Sequence, residues 1–292
     1  MNENRFYNEI MELKESDDIK DILKRWNNFS KNRMYIPQGV PILLPDMLWI
    51  AKSGYGKTNL IRLISEYLYE EKLMEFYGDV KFIETELEYC PRDREFVSFK
   101  SFMDEVVRAA GFRDEFRGIV CVDITEWIDH INENYFIDFL EYLSENTDIW
   151  HIIFVVDCSD SKKLCRLEAL LGIYFRIDKV MFRLPETFEL CCYIEKYLKK
   201  YGFMIDKDAV DILAETIDEL RDSRYFDGYK TLNMICSDLL YRLFSAENVD
   251  SYVITSDVVR YYDKDSDYIK RTKENIEKRR KIGYISGGAG NE

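Results

Sequence analysis

Histidine is almost missing: the 292 residues hold 2, His130 and His151. So few imidazoles argue against a zinc site and against a Ser–His–Asp triad. Proline and glycine are scarce, at 5 and 13, which excludes a linker-rich or fibrous chain. No apolar run approaches the roughly 20 residues that a bilayer helix needs. The opening MNENRFYNEIMELKE is acidic and has no hydrophobic signal region. Neither secretion nor insertion is indicated, and a cytoplasmic protein with no membrane partner is expected. The CxxC spacing is missing too. Cys90, Cys121, Cys158, Cys165, Cys191, Cys192 and Cys236 are odd in number and scattered, mostly within apolar runs, so reduced, buried thiols are expected. Positive charge also falls short: 41 Lys and Arg face 55 Asp and Glu, a formal net charge of −14. A field of that sign disfavours duplex DNA as a general partner, because binding begins with neutralised phosphates. Only a local basic patch would reverse that.

What is present supports a full core. Apolar residues make up 47% and charged residues 33%, which rules out disorder over most of the length. The length fits one large domain or two moderate ones. Aromatics reach 15% and suit well-packed layers or adhesive partner surfaces. Residues 3–33 carry helical spacing (Phe6, Ile10, Leu13, then Ile19, Ile22, Leu23, Trp26), with a break around Glu15–Asp18. Residues 34–46 contain Pro37, Pro41 and Pro45 and are expected to be extended. MLWIA (47–51) is a short apolar run that stops at a glycine-bearing turn. Helical spacing resumes at Asn59 through Leu60, Leu63, Ile64, Tyr67 and Leu68.

Strands then alternate with helices. The pattern predicts strands at 80–84, 118–124, 151–157 and 179–184, and helices at 95–110, 131–144 and 161–173. Continuously apolar strands between helices imply a parallel sheet covered on both faces. After Pro185 no strand is expected, only helices at 187–201, 207–222 and 230–246, with more helix within 256–281. The expected division is an N-terminal helical segment (1–33), an α/β domain (34–186), a small helical domain (187–262) and a basic C-terminal tail (263–292).

The strongest local signal is Ala51-Lys52-Ser53-Gly54-Tyr55-Gly56-Lys57-Thr58. It sits between a predicted strand and a predicted helix, the context a phosphate-binding loop requires. Gly54 and Gly56 let the backbone turn so that consecutive N–H groups face a polyphosphate. The helix starting near Lys57 adds its positive end. Lys57 is placed to reach the β- and γ-phosphates, and Thr58 to ligate Mg²⁺. The expected nucleotide contacts are therefore Ser53, Gly54, Tyr55, Gly56, Lys57, Thr58 and Asn59, with ATP and Mg²⁺ as cofactors. The first glycine of the pattern is Ala51 here, small enough to fit where φ is negative.

A carboxylate for the magnesium should end another buried strand, and Asp123 closes GIVCVD. An Asp that only caps a strand end or a following helix is the alternative. Many such ATPases place a Glu directly after this Asp to orient the attacking water. Ile124 stands there and cannot polarise water. Glu126, a little further on, is either a substitute or an exposed acid. Asp157 ends HIIFVVD, either beside the nucleotide or at a plain surface strand end. Near phosphate it would have to be protonated or turned to the metal. Arg176 precedes the last strand, where its guanidinium either reaches a neighbouring subunit's γ-phosphate or is simply solvated.

Taken in order, these motifs make the chain similar to the AAA+ ATPases. It resembles in particular the CbxX/CfqX family, the relatives of red-type Rubisco activase. AKSGYGKT resembles the family's phosphate loop, and GIVCVDITEW its strand ending in Asp-Glu-Ala-Tyr. IIFVVDCSD followed by LLGIYFRI resembles the sensor-1 strand and the segment ending in the arginine finger. KKYGFMIDKDAVDILAETIDELRDSRYFDGYKTLNMI resembles the helical lid, with Phe226-Asp227-Gly228-Tyr229-Lys230 where the family has Phe-Gly-Asn-Ala-Arg. EKRRKIGY resembles the basic terminal Ile-Gly-Phe segment. The likeness runs from about residue 10 to residue 284.

The resemblance implies an AAA+ module: a P-loop NTPase parallel sheet with helices on both faces, followed by a small α-helical lid domain. It makes Lys57 and Thr58 phosphate and magnesium contacts, Asp123 the magnesium carboxylate, Arg176 the arginine finger and Lys230 the sensor-2 residue. Ile10 would fall in the stretch flanking the adenine. It further implies a ring, hexameric by family likeness, formed by identical copies or mixed with an active relative, and acting on a protein client or partner subunit.

The departures fall at catalytic positions. Ile124 replaces the water-activating Glu, and Asp157 stands where an amide or hydroxyl is usual. Lys230 replaces an Arg, without its fork geometry. An aromatic-Val-Gly pore element is not visible; in EYCPRDREFVSFKSF the available aromatics are Phe96 and Phe99. The tail's Lys278-Arg279-Arg280-Lys281 before Ile282-Gly283-Tyr284 suits an acidic partner, nucleic acid, or merely a solvated helix end. Three functional readings follow: an oligomeric ATPase that remodels a protein partner, a nucleotide-dependent scaffold without turnover, and a DNA-linked helper ATPase. The overall acidity opposes the last, so nucleic acid is not an expected partner.

Overall fold

The computed structural model describes residues 4–13, 16–36, 44–89, 97–111, 115–221, 226–245 and 252–260. The chain divides into two compact units, Met1–Arg183 and Leu184–Glu292.

The first unit opens with helices α1 (Arg5–Glu12) and α2 (Asp17–Asn32). Strand β1 (Asp46–Ile50) follows, then α3 (Lys57–Glu70), β2 (Phe82–Glu86), α4 (Val97–Ala110), β3 (Gly118–Asp123), α5 (Asn134–Ser144), β4 (Trp150–Val156), α6 (Ser161–Tyr174) and β5 (Ile177–Met181). The five strands form one sheet in the order β2-β3-β4-β1-β5. Every neighbouring pair is parallel, so each connection must cross over the sheet, and the helices do this.

Side-chain alternation sorts the two faces. Met47, Trp49, Ile119, Cys121, Ile153 and Val155 turn to one face, against Ile10, Ile22, Leu60 and Ile64 of α1, α2 and α3. Leu48, Ile50, Val120, Val122, Ile152 and Phe154 turn to the other, against Phe102 of α4, Phe139 of α5 and Leu167 of α6. Both faces are covered, and residues 4–13 and 16–32 belong to the first unit's core. The carboxylate of Glu71 ties these helices together: Asn4 donates to Oε1 at 2.9 Å and Ser30 to Oε2 at 2.6 Å.

Two strands sit off their expected positions. The last is Ile177–Met181 rather than 179–184, because its partner β1 ends at Ile50 opposite Met181. The ladder closes one residue later, where Phe182 N–H donates to Ile50 O at 3.0 Å. The second is Phe82–Glu86 rather than 80–84, since pairing with Ile119–Asp123 draws the polar Glu84, Thr85 and Glu86 into the sheet. Both shifts lie at sheet edges, where one partner alone sets the register.

Gly118 opens β3 in a tight spot. A Cβ there would lie 2.5 Å from Lys81 O and 2.6 Å from Phe116 Cζ. The carbonyl is backbone and cannot swing away. Gly118→Ala is therefore expected to lower the unfolding free energy by about 1–3 kcal/mol, read as a lower urea midpoint. An unchanged midpoint would show that β3 does not start so close to Lys81.

The second unit packs α7 (Thr187–Lys200), α8 (Lys207–Arg221), α9 (Gly228–Ser245) and α10 (Ser256–Arg260) around Leu190, Ile194, Leu213, Ile217, Leu232, Ile235 and Val259. A capping box of Glu186 and Glu189 starts α7. The expectation of no strands after Pro185 fails: β6 (Met204–Ile205) and β7 (Val253–Ile254) pair in parallel. Each is two residues long, too short to show a period in the sequence.

The thiols also differ from expectation. Cys121, Cys191 and Cys236 are buried, Cys158 and Cys192 half-buried, and Cys165 exposed. Helices α6 and α7 turn Cys165 and Cys192 off their apolar stripes. Burial pushes the Cys191 thiol up to about 11 and Cys236 to about 12, which keeps both protonated and inert. Cys90 lies outside the described residues. No helix among the described residues is long and apolar enough to cross a membrane.

Candidate functional site

Connections leave β1 and β4 in opposite directions: β1 leads towards β2 and β4 leads past β1 to β5. In open parallel sheets the crevice for a ligand lies at such a reversal, outside the carboxyl ends of the strands. The segment Ala51–Gly56 occupies that place. Ala51 is still held by the sheet, its N–H donating to Val156 O at 3.0 Å. The backbone then turns, with Gly54 at φ 76° and Gly56 at φ 80°. Both are left-handed conformations that a side chain would strain.

Helix α3 begins at Lys57, directly after Gly56. No side chain caps it, and its first turn carries no acid. By contrast, Asn4 caps α1 and Asp160 caps α6 through their carbonyl and carboxylate oxygens. The amide end of α3, with its positive dipole, has no acceptor built into its own cap.

Three strand ends meet this loop. Asp123 ends β3, and its Oδ2 lies 3.7 Å from Lys57 Nζ. Its Oδ1 accepts from Thr125 twice, from the backbone N–H at 3.0 Å and the hydroxyl at 2.5 Å. Asp157 follows β4, and its N–H donates to Thr125 Oγ1 at 2.9 Å. Thr125 thus joins the ends of β3 and β4. On the edge strand, Glu84 Oε1 accepts the Thr58 hydroxyl at 3.0 Å. Glu86 is the register partner of Asp123.

The carboxylates affect one another. Crowding by the surrounding protein raises the pKa of Glu84, while the Thr58 hydroxyl and the Lys57 ammonium lower it. Glu86 is also raised, first by loss of water and then by the charges of Asp123, Glu126 and Glu88.

The structure therefore brings Lys57, Thr58, Asp123 and Asp157 to one edge of the sheet, with Ser53, Gly54, Tyr55 and Gly56 in the connecting loop and Asn59 exposed on the first turn of α3. Glu126 is exposed on a short turn after β3, and its Oε2 accepts from Tyr89 N–H at 2.7 Å. Ile124 is a core residue, 1% exposed, packed with the α4–α6 face. Arg176 is exposed at the opposite, amino-terminal edge, just before Ile177, which pairs with the first residue of β1. Lys230 belongs to the second unit, 3.5 Å from Asp227. Ile10 is fully enclosed in the core with α3. Phe99 packs edge-on against Phe139 and Tyr142, so this aromatic is part of the core. Phe96 and residues 278–284 lie outside the described residues. A cleft of about 360 Å³ opens at the amino-terminal edge beside Arg117, Trp150 and His151, away from the loop.

Sequence reading missed Glu84, Glu86 and Thr125. The signal lay in FIETE, where alternate positions are acidic at the end of a strand. Glu84 and Glu86 share the parity of Phe82, which packs on the α3 face.

The donor set suits a hard cation, with a hydroxyl and carboxylates as the nearest groups. Among the described residues no three carboxylate, imidazole or thiolate groups are gathered to hold a metal by themselves. Mg²⁺ in general takes one or two protein oxygens and the rest from phosphate and water.

No known family profile matches the sequence, and no curated protein matches it. In three dimensions the chain is similar to a single-residue variant of RuvB from Thermotoga maritima. The TM-score is 0.50 at 15% identity, over 84% of this chain and 69% of that one. The chain has the AAA+ fold: a P-loop parallel sheet with helices on both faces, followed by a small, mainly helical unit.

Proposed function

We propose that this chain binds ATP with Mg²⁺ at the loop between β1 and α3, and that it is an ATPase which regulates or remodels a protein partner as part of an oligomer. One observation carries the reading. An uncapped helix start follows two left-handed glycines, with Lys57 held beside Asp123. Backbone amides of residues 54–58 would wrap the phosphates. Lys57 would leave Asp123 for the β- and γ-phosphate oxygens, and Thr58 with Asp123 would hold the magnesium. The ion would supply charge neutralisation at the phosphates. Asp157 and Glu126 are proposed to act near the terminal phosphate. The exposed Arg176 is proposed to serve a neighbouring subunit's site, since it lies at the edge opposite its own loop. The sequence resemblance supports Lys230 as the sensor-2 residue and a ring, hexameric by family likeness, of identical copies or mixed with an active relative.

A second reading, a nucleotide-gated scaffold without turnover, is favoured by a separate observation. Ile124 is buried and Glu126 is engaged by the backbone of Tyr89, so no free carboxylate follows Asp123 directly.

Phosphate release measured beside light-scattering mass, with and without ATP, tests both. Turnover with a nucleotide-dependent rise in mass supports the ATPase. Binding and assembly without phosphate release select the scaffold. A monomer that neither binds nor hydrolyses ATP removes both.

A further inference from the structure

We infer that Glu84 is a positioning residue for the metal: it accepts the hydrogen bond of the Thr58 hydroxyl, so that the oxygen's lone pairs are presented to magnesium. The inference rests on the nucleotide-binding reading above and adds a residue that no motif supplies.

The argument is one of hydrogen-bond accounting. A threonine hydroxyl has one proton and two acceptor lone pairs. Where the proton goes decides where the lone pairs point. Thr58 does not donate to Asp123, whose Oδ1 accepts from both donors of Thr125 and whose Oδ2 lies 3.7 Å from Lys57 Nζ. The hydroxyl donates instead to Glu84 Oε1, 3.0 Å away.

Glu84 reaches that position because of strand parity. It alternates with Ile83 and Thr85, and Ile83 packs on the opposite face with α4. Its register partner, Cys121, is buried on the α3 face. Glu84 is thus the side chain of β2 that faces the first turn of α3. With its charge beside Lys57 and Thr58, it also adds negative potential where a divalent ion would sit. Asp123 is then left to a single task, holding the ion through Oδ2 while Thr125 fixes its other oxygen.

The test is the affinity of a fluorescent ATP analogue, measured with Mg²⁺ and again with EDTA. The parent is expected to bind more tightly with Mg²⁺. Glu84→Ala is expected to lose roughly 10–100-fold of that metal-dependent gain, the usual effect of removing a group that orients a metal ligand. Its affinity in EDTA should be unchanged or slightly higher, since a negative charge near the phosphates is gone. Thr58→Val should lose a similar share, and the double variant should lose no more than either alone, because both act through one hydroxyl. Glu84→Gln keeps an acceptor oxygen and is expected to retain most of the gain, which separates orientation from a folding defect.

A Glu84→Ala protein that keeps the parent's full metal dependence overturns the inference and leaves the nucleotide reading intact. Additive losses in the double variant overturn it too. A parent that binds no nucleotide under either condition overturns both.

Discussion

Lys57→Ala is expected to weaken ATP binding by roughly 30- to 4,000-fold. That range corresponds to the 2–5 kcal/mol lost when one partner of a desolvated charge pair is truncated. In the free protein Lys57 has only a 3.7 Å contact with Asp123, with side-chain exposures of 18% and 31%. Such a pair adds little to folding, so the thermal midpoint should hardly move. Loss of binding without loss of stability is the signature of a residue kept for a ligand. The affinity is measured by titration with a fluorescent ATP analogue at fixed salt and magnesium. A variant that binds like its parent would mean that the amide end of α3 and Lys57 do not hold the phosphates, and the proposed function would go with them.

The second large effect concerns stability and pH. Asp46 opens β1 and is 6% exposed, and burial pushes its carboxyl from 3.8 up to about 7. A single bond from Ile152 N–H to Oδ1, 2.7 Å, pulls the other way. Beside it, His151 Nδ1 lies 3.9 Å from Oδ1, and burial lowers that imidazole from 6.5 to about 4. Between about pH 4 and pH 7 burial favours the neutral form of both groups. For Asp46 the folded state keeps its proton more tightly than the unfolded chain. Its stabilising share is therefore complete below pH 3.8 and is lost as the pH rises to about 7. For His151 the folded state binds its proton less tightly, so stability is gained as the pH rises from about 4 to 6.5.

Across that window the two slopes oppose each other and the parent's profile should be nearly flat from this pair. Asp46→Asn keeps an oxygen for Ile152 N–H and removes the ionisation. The variant should match its parent near pH 4 and exceed it by up to about 4 kcal/mol at pH 8. It should also show the rise due to His151 alone. Urea unfolding at a series of pH values reads this directly. Equal stability at pH 8 would show that the Asp46 carboxyl is not confined as described.

Some of this was legible along the chain. The spacing of Leu60, Leu63, Ile64, Tyr67 and Leu68 marks a helix on any reading, and α3 follows it. The runs GIVCVD and HIIFVV are buried on both faces as central parallel strands require. Asp123 could be named because it follows such a run. Polar strands resisted the same logic. FIETE is a strand because β3 pairs with it, and no apolar pattern announced that. The two-residue strands of the second unit pair with each other across nearly fifty residues of chain.

The residues themselves determined the phosphate-loop pattern, the alternation of strands with helices, and the change to a helical second half. These depend on local periods and on glycines that alone tolerate a left-handed turn. The tertiary structure decided which distant side chains meet: Glu84 on Thr58, Thr125 between Asp123 and Asp157, Ile124 in the core, Arg176 at the far edge. Those outcomes follow from strand order and register. A shift of one residue would turn Glu84 to the other face, and no local pattern contains that information.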